Sequence, residues 1–265
     1  MSATVTSEFA DAIATITLNG PDEMNVLSIE RSRDLARAVT LAGQDTEVRC
    51  VVLQGAGGNF CAGANVKSML ENLDLSDAER HFRTRQILNE LHLTTRTIRA
   101  MPKPVIASVE GAAAGGGFSI AMGCDMVVAA ENAKFTMAYN NLGLCPDASG
   151  TYSLPRLVGV RKAVELAFLG DPIGAREALE LGIINRVVAD AELATETAAL
   201  ANRLAVGATF AYGKTKMLYY RSLASSYDEQ LEAEGDAVTS CMVSDDFREA
   251  VKAFVEKRPR NFTGR

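Results

Sequence analysis

Gly111-Ala112-Ala113-Ala114-Gly115-Gly116-Gly117-Phe118-Ser119 follows the apolar run Val105-Ile106-Ala107-Ser108-Val109 and leads into Ile120-Ala121-Met122. This order predicts a strand, a glycine-rich turn and the start of a helix. Glycines let a backbone turn sharply, take positive φ and bring its N–H groups close to a ligand. A helix start adds unpaired donors and a positive dipole end, so a group that is negative, or becomes negative, suits this place. A tight turn packed on small neighbours explains the same residues without a ligand. The run GGGFSI does not satisfy the nucleotide fingerprint G-x-G-x-x-G, and no Walker lysine follows it.

Upstream, residues 12–18 read as a first strand closed by the turn signal Asn19-Gly20-Pro21-Asp22. A helix follows with Ser28 as its N-cap and Leu35, Ala38, Val39 and Ala42 as its apolar stripe; Arg31, Arg33 and Arg37 are placed on its other faces. The nearly continuous apolar run 48–53 suits a strand covered on both sides. A second glycine-rich loop, 55–65, leads from that strand into a helix over 66–73, so the motif occurs twice. A long helix over 76–99 stops at Met101-Pro102-Lys103-Pro104, where two prolines forbid its continuation.

Downstream, 126–130 reads as a buried strand, 133–138 as a further extended segment and 139–150 as a loop. Helices are expected over 160–169 and 174–181, with a short strand over 183–188 and alanine-rich or acidic helices from 189 to 257, broken near Gly207 and Ser225. Strands alternating with helices argue for α/β architecture. No linker divides the chain, and the expected division is a core of 1–200 with a helical segment of 201–265.

The composition closes off several classes of function. With 48% hydrophobic residues among 265, a large core is available. A net charge of −6 and a pI near 5.1 leave no basic surface for a phosphate backbone, so nucleic acid is not an expected partner. The five cysteines (50, 61, 124, 145 and 241) are odd in number and lack CxxC spacing, which argues against both a disulfide framework and a zinc site. The N-terminus carries neither a basic n-region nor an apolar h-region, and no uncharged run reaches membrane-spanning length. The expectation is a reduced, cytoplasmic protein without a metal or a membrane partner.

With both glycine loops placed, the chain resembles the enoyl-CoA hydratase/isomerase (crotonase) superfamily. The matching residues run nearly end to end: Thr15-Ile16-Thr17-Leu18-Asn19 with Asn25-Val26-Leu27; Phe60-Cys61-Ala62-Gly63-Ala64-Asn65; Lys103-Pro104-Val105-Ile106-Ala107; 111–118; Cys124-Asp125; Ala133-Lys134-Phe135; Leu154-Pro155-Arg156-Leu157-Val158-Gly159; and Glu177-Ala178-Leu179 through Leu181-Gly182. The resemblance implies a spiral of ββα repeats with a C-terminal helical segment that packs on neighbouring subunits in a homotrimer, often paired into a hexamer. It also implies a coenzyme A thioester as ligand, with no separate cofactor. The N–H groups of Ala64 and Gly116, with Gly63 and Gly115 beside them, would face the thioester oxygen. Asn25, Val26, Leu27 and Ala62 would hold the CoA moiety, and Phe254 and Lys257 of an adjacent subunit would close it.

The sequence departs from the pattern at the catalytic groups. The two-glutamate hydratases of the family carry carboxylates where this chain has Ser119 and Tyr139, neither of which is an acid or base near neutral pH. Further along, Asp147 stands where the family's double-bond isomerases, including the ring-type isomerases of phenylacetate degradation, keep one acid/base. The resemblance therefore implies a shift of a C=C bond from the 3 to the 2 position of an acyl-CoA, or a ring-type equivalent. Hydration with Asp147 as sole acid/base is the alternative. Lesser alternatives are a 4-chlorobenzoyl-CoA dehalogenase-like hydrolase, in which His92 would assist Asp147, and a non-catalytic acyl-CoA-binding subunit. Each residue also has a plainer reading: Asp147 as the N-cap of a helix starting near Ala148, His92 as a pocket wall, Tyr139 as a lining or substrate-orienting group, and Cys61 and Cys145 as small fillers.

Overall fold

The structure is a computed structural model that describes residues 4–265; residues 1–3 of the N-terminus read above for a leader lie outside the described residues. The chain opens with a hairpin whose second strand is the one expected over 12–18 and whose first strand sequence patterning leaves unassigned. Strand β1 (Val5–Ala10) pairs antiparallel with β2 (Ile13–Leu18) across Asp11 and Ala12, both at positive φ. As an edge strand exposed over its last four residues, β1 shows no alternation of apolar and polar positions.

Helix α1 (Ile29–Gln44) is capped as expected: Ser28 Oγ accepts from the Arg31 N–H at 3.1 Å, a contact worth about 1 kcal/mol. Leu35, Val39 and Ala42 are buried, but so is Arg31, which the sequence reading put on another face. Residue 31 lies one turn before Leu35 and shares its stripe. Its guanidinium donates to the Val26 carbonyl and so holds the segment before the helix.

The remaining elements are β3 (Cys50–Gly55), α2 (Val66–Glu71), α3 (Asp77–Ala100), β4 (Val105–Val109), β5 (Ala112–Ala114), α4 (Gly116–Gly123), β6 (Met126–Ala130), β7 (Lys134–Thr136) and α5 (Gly150–Leu169). They are followed by β8 (Ile173–Gly174), α6 (Ala175–Glu180), β9 (Arg186–Val188), α7 (Leu193–Ala205), α8 (Thr209–Ser222), α9 (Tyr227–Met242) and α10 (Asp245–Glu256). Helix α5 starts well before the expected position 160 and carries Pro155 within its first turns. Only Gly159 interrupts the helix, at φ 77° and ψ 159°.

Two sheets organise the molecule. The larger runs β1-β2-β3-β4-β6-β9 and is parallel beyond the opening hairpin; the smaller runs β5-β7-β8. Single parallel bridges, Leu27 to Ala64 and Cys61 to Ala113, extend the smaller layer into the earlier loops. Four successive turns of chain therefore repeat one pattern: a strand of the large sheet, a short strand or bridge in the second layer, then a helix. This is the expected ββα spiral, with β5 interposed between β4 and the triple-glycine turn.

The large sheet is covered on both faces, which accounts for its continuous apolar runs. On one side Ile16, Leu18 and Leu53 pack with Leu35, Val39 and Ile98; on the other Val52, Ile106 and Val128 pack with Leu200, Ala201 and Ala205 of α7. The expected division at residue 200 thus falls inside α7, a helix seated on the sheet.

Helix α8 is clamped to the core by a buried pair. Lys216 Nζ donates to Asp125 Oδ2 and to the Ile98 carbonyl, each at 2.6 Å, and the Tyr220 hydroxyl and Val105 N–H also donate to the Asp125 carboxylate. Burial pushes the Asp125 carboxyl up and the Lys216 ammonium down, and their mutual attraction opposes both shifts. The tail after α10 returns to the sheet, where Arg49 donates to the Phe262 carbonyl at 2.8 Å and the Asp246 carboxylate accepts the N–H groups of Thr263 and Gly264. No helix among the described residues is long and apolar enough to cross a membrane.

Removing one partner of a buried pair leaves the other charge uncompensated. Lys216→Met is expected to lower unfolding stability by about 3–5 kcal/mol, read from urea denaturation. Adding Asp125→Asn should recover part of that loss.

Candidate active site

The two glycine loops lie directly against each other. A Cβ on Gly63, which sits at φ +87°, would fall 2.6 Å from the Ala114 carbonyl oxygen and 3.5 Å from Gly115 Cα. On the opposite side a Cβ on Gly117 would collide with the Cys61 carbonyl and lie 2.7 Å from the Cys61 side chain. Neither approach is open to a residue with a side chain. The peptide ladder seals the contact, with the Cys61 N–H donating to the Ala112 carbonyl and the Ala114 N–H to the Cys61 carbonyl, both at 2.9 Å.

Ala64 directly follows Gly63, and Gly116 lies between Gly115 and Gly117. Among the described residues neither N–H has a hydrogen-bond acceptor, and Gly116 is buried as the first residue of α4. A buried N–H without an acceptor is uncommon in folded proteins, and at a helix start it adds to the positive end of the dipole. Phe118 and Phe135, with ring centroids 5.3 Å apart, pack α4 against β7 beneath the turn.

Asp147 comes to the same place from the loop before α5. A Cβ on Gly116 would stand 3.9 Å from Asp147 Oδ1 and 2.9 Å from Leu27 Cδ1. The capping alternative for Asp147 does not hold, since Ser149 occupies the N-cap position of α5 and no side chain caps that helix. Asp147 Oδ1 instead accepts the Tyr139 hydroxyl at 2.6 Å, and the same hydroxyl lies 3.1 Å from Ser119 Oγ. Burial, followed by the Asp147 charge, raises the Tyr139 phenol well above its ordinary range.

The backbone on either side is strained into place. Ala138 at φ 45° closes a γ-turn through a 2.5 Å bond from the Tyr139 N–H to the Met137 carbonyl, and Ala148 and Ser149 take φ 46° and 72° directly after Asp147. Left-handed conformations at such residues cost about 1–2 kcal/mol each and persist where the surroundings impose them.

The other expected ligand contacts divide into two sets. Asn25 is fully buried and its side chain joins the loops, accepting from the Gly20 N–H and donating to the Ala56 and Asn59 carbonyls. The N–H groups of Val26, Leu27 and Ala62 are taken by Glu23, Gly63 and Met24 carbonyls. Any contact these residues make with a ligand therefore runs through carbonyl oxygens or apolar surface. Phe254 and Lys257 lie at the end of α10, a helix that packs on α9, and line a groove of about 340 Å³ with Arg258 and Arg260. Within one chain they share no hydrogen bond with the glycine loops.

His92 is half-buried in α3, and its ring has no hydrogen bond among the described residues. Cys61 is buried, which pushes its thiol up to about 11 and fits a filler rather than a nucleophile; Cys145 is exposed. No group of three or more His, Cys, Asp or Glu among the described residues is placed to hold a metal. Sequence reasoning missed the tie between Tyr139 and Asp147, since no short-range pattern links residues eight apart across an irregular loop.

Substituting Gly117 by alanine forces the two loops apart. Gly117→Ala is expected to cost about 1–3 kcal/mol of stability, measured by thermal or urea unfolding; stability equal to that of the wild type would show that the loops separate freely.

The sequence pattern of the Enoyl-CoA hydratase/isomerase family matches residues 8–265. The chain is 38% identical over 263 residues to the 1,2-epoxyphenylacetyl-CoA isomerase of Escherichia coli K12, covering 98% of each protein. It is 35% identical over 256 residues to the crotonyl-CoA hydratase of Syntrophomonas wolfei, covering 96% of each. The fold superposes on the crystal structure of an enoyl-CoA hydratase from Polaromonas sp. JS666 with a TM-score of 0.91 at 34% identity, over 98% of this chain and 99% of the other. Paired glycine loops, a ββα spiral and end-to-end similarity lead to one conclusion: the chain belongs to the enoyl-CoA hydratase/isomerase family and has the crotonase fold.

Proposed function

We propose that the protein is an acyl-CoA isomerase that moves a double bond from the 3 to the 2 position, or makes the equivalent shift in a ring-type acyl group. The observation that carries this reading is the Asp147 carboxylate set against Gly116, while hydroxyls occupy positions 119 and 139. In this reading the N–H groups of Ala64 and Gly116 receive the thioester oxygen. Asp147 removes a proton from C2, and the C–H electrons form a dienolate whose charge rests on that oxygen. The carboxyl then returns the proton to C4, leaving the double bond between C2 and C3. Two fixed donors at the developing oxyanion supply several kcal/mol of transition-state stabilisation, and one carboxylate suffices for both proton transfers.

Coenzyme A enters as part of the substrate, along Val26, Leu27 and Ala62. The exposed apolar residues of the C-terminal helices, among them Tyr219, Tyr227, Val238, Phe254 and Val255, support assembly into a homotrimer or hexamer through the segment 201–265. Phe254 and Lys257 of one subunit would then close the CoA site of another. The acidic surface and the reduced thiols fit a cytoplasmic enzyme, and the similarity to an epoxyphenylacetyl-CoA isomerase favours the ring-type variant of the reaction.

Hydration with Asp147 as the sole acid/base is the second reading, favoured by the similarity to a crotonyl-CoA hydratase. Supplying 2-enoyl-CoA and 3-enoyl-CoA separately distinguishes the two, because only hydration adds the mass of water. Absence of α or γ deuterium uptake from heavy water across a panel of acyl-CoA esters would instead indicate a binding subunit. Asp147→Asn is expected to reduce turnover by about 10²–10⁴-fold while thioester affinity, measured by calorimetry, stays within a few-fold. A variant that keeps most of its rate overturns the assignment.

A further inference from the structure

We infer that Tyr139 is a positioning residue that fixes one oxygen of Asp147 and leaves the other to handle the proton, acting through the carboxylate and not on the substrate. The inference rests on Asp147 being the acid/base. An ionised carboxylate only accepts hydrogen bonds, so at 2.6 Å the Tyr139 hydroxyl must donate its one proton to Oδ1. The Ser119 hydroxyl, 3.1 Å from the same oxygen, must then donate to Tyr139, which gives the chain a single direction from Ser119 through Tyr139 to Asp147.

Both relay groups are held in place. Ser119 is fully buried and boxed in by Gly150, where a Cβ would stand 2.5 Å from its Oγ. Tyr139 is fixed by the γ-turn on Ala138, and its carbonyl accepts the N–H groups of Leu142 and Leu144 at 3.0 Å. The left-handed pair Ala148 and Ser149 fixes the other end at Asp147.

When Asp147 takes the substrate proton on Oδ2, the Tyr139 bond to Oδ1 needs no rearrangement, since that oxygen becomes the carbonyl of the carboxyl group and still accepts. The relay therefore serves both halves of the proton transfer. Little competes with it electrically. Helix α4, Gly116–Gly123, presents no charged side chain, and Asp147 is the one charge acting on Tyr139; on the helices packed against α4, Glu90 of α3 lies beside Arg33, Arg99 of α3 donates to the Tyr152 hydroxyl of α5, and Lys162 of α5 pairs with Glu165. Burial and the Asp147 charge keep the phenol protonated, so it remains a donor across the working pH range.

Tyr139→Phe in the full-length protein removes the hydroxyl and keeps the ring. The expected result is a fall in kcat of about ten- to a hundred-fold, the usual loss for one hydrogen bond to a charged group, with KM for a 3-enoyl-CoA changed less than about threefold. Ser119→Ala should act in the same direction with a smaller effect. A Tyr139→Phe enzyme with wild-type kcat overturns the inference, and so does a loss confined to KM, which would place Tyr139 on the substrate. Asp147→Asn measured in parallel separates the two levels: if it remains active the acid/base assignment fails, whereas if it is inactive and Tyr139→Phe is unaffected only the relay fails.

Discussion

Two stretches of main chain meet so closely that neither can carry a Cβ at the contact, and much of the architecture follows from it. Gly63 faces the Ala114 carbonyl and Gly117 faces the Cys61 carbonyl at distances that exclude a Cβ. Because the loops touch, the bridge from Cys61 to Ala113 forms, the second layer of the spiral becomes continuous, and the beginnings of α2 and α4 are brought side by side. The large sheet supplies the rigidity behind this contact through strands buried on both faces. Asn25 and Arg31 supply it in front, the one joining three loop segments by its amide and the other holding the Val26 carbonyl.

How much of this was legible in sequence depended on the range of the forces involved. Glycine runs, the prolines after 101 and the Ser28 and Ser76 caps act locally, and the strands and helices they punctuate lie close to where the pattern puts them. Strand β1 was not legible because its pairing partner, rather than its own side chains, makes it a strand. Arg31 was misplaced because charge was weighed above helical spacing, though its position four residues before Leu35 pointed inward. The start of α5 was missed: the helix was expected only from 160, whereas it runs from Gly150 and accommodates Pro155 within its first turns.

At the site, sequence located the glycine loops and Asp147 through resemblance, but left open whether Asp147 was a cap or a functional carboxylate. The geometry decides against the cap, since the side chain is taken by Tyr139 and the helix begins after Ser149. Positions 119 and 139 carry a pair of hydroxyls, Ser119 and Tyr139, buried in series. Hydroxyls cost less to bury than ionised carboxylates, and they keep one protonation state where a second carboxylate beside Asp147 would compete for its proton.

The two donors assigned to the thioester oxygen, Ala64 and Gly116, offer main-chain N–H groups, and the carboxylate and the hydroxyls offer side chains. A side-chain substitution can erase the second kind and cannot erase the first. The molecule is thus divided between an inherited frame, written in peptide units and guarded by glycines, and a small set of sockets at 119, 139 and 147 borne on a helix and a loop. Refilling the sockets leaves the frame's own donors and packing in place, so what one such spiral can do is set by what its sockets hold.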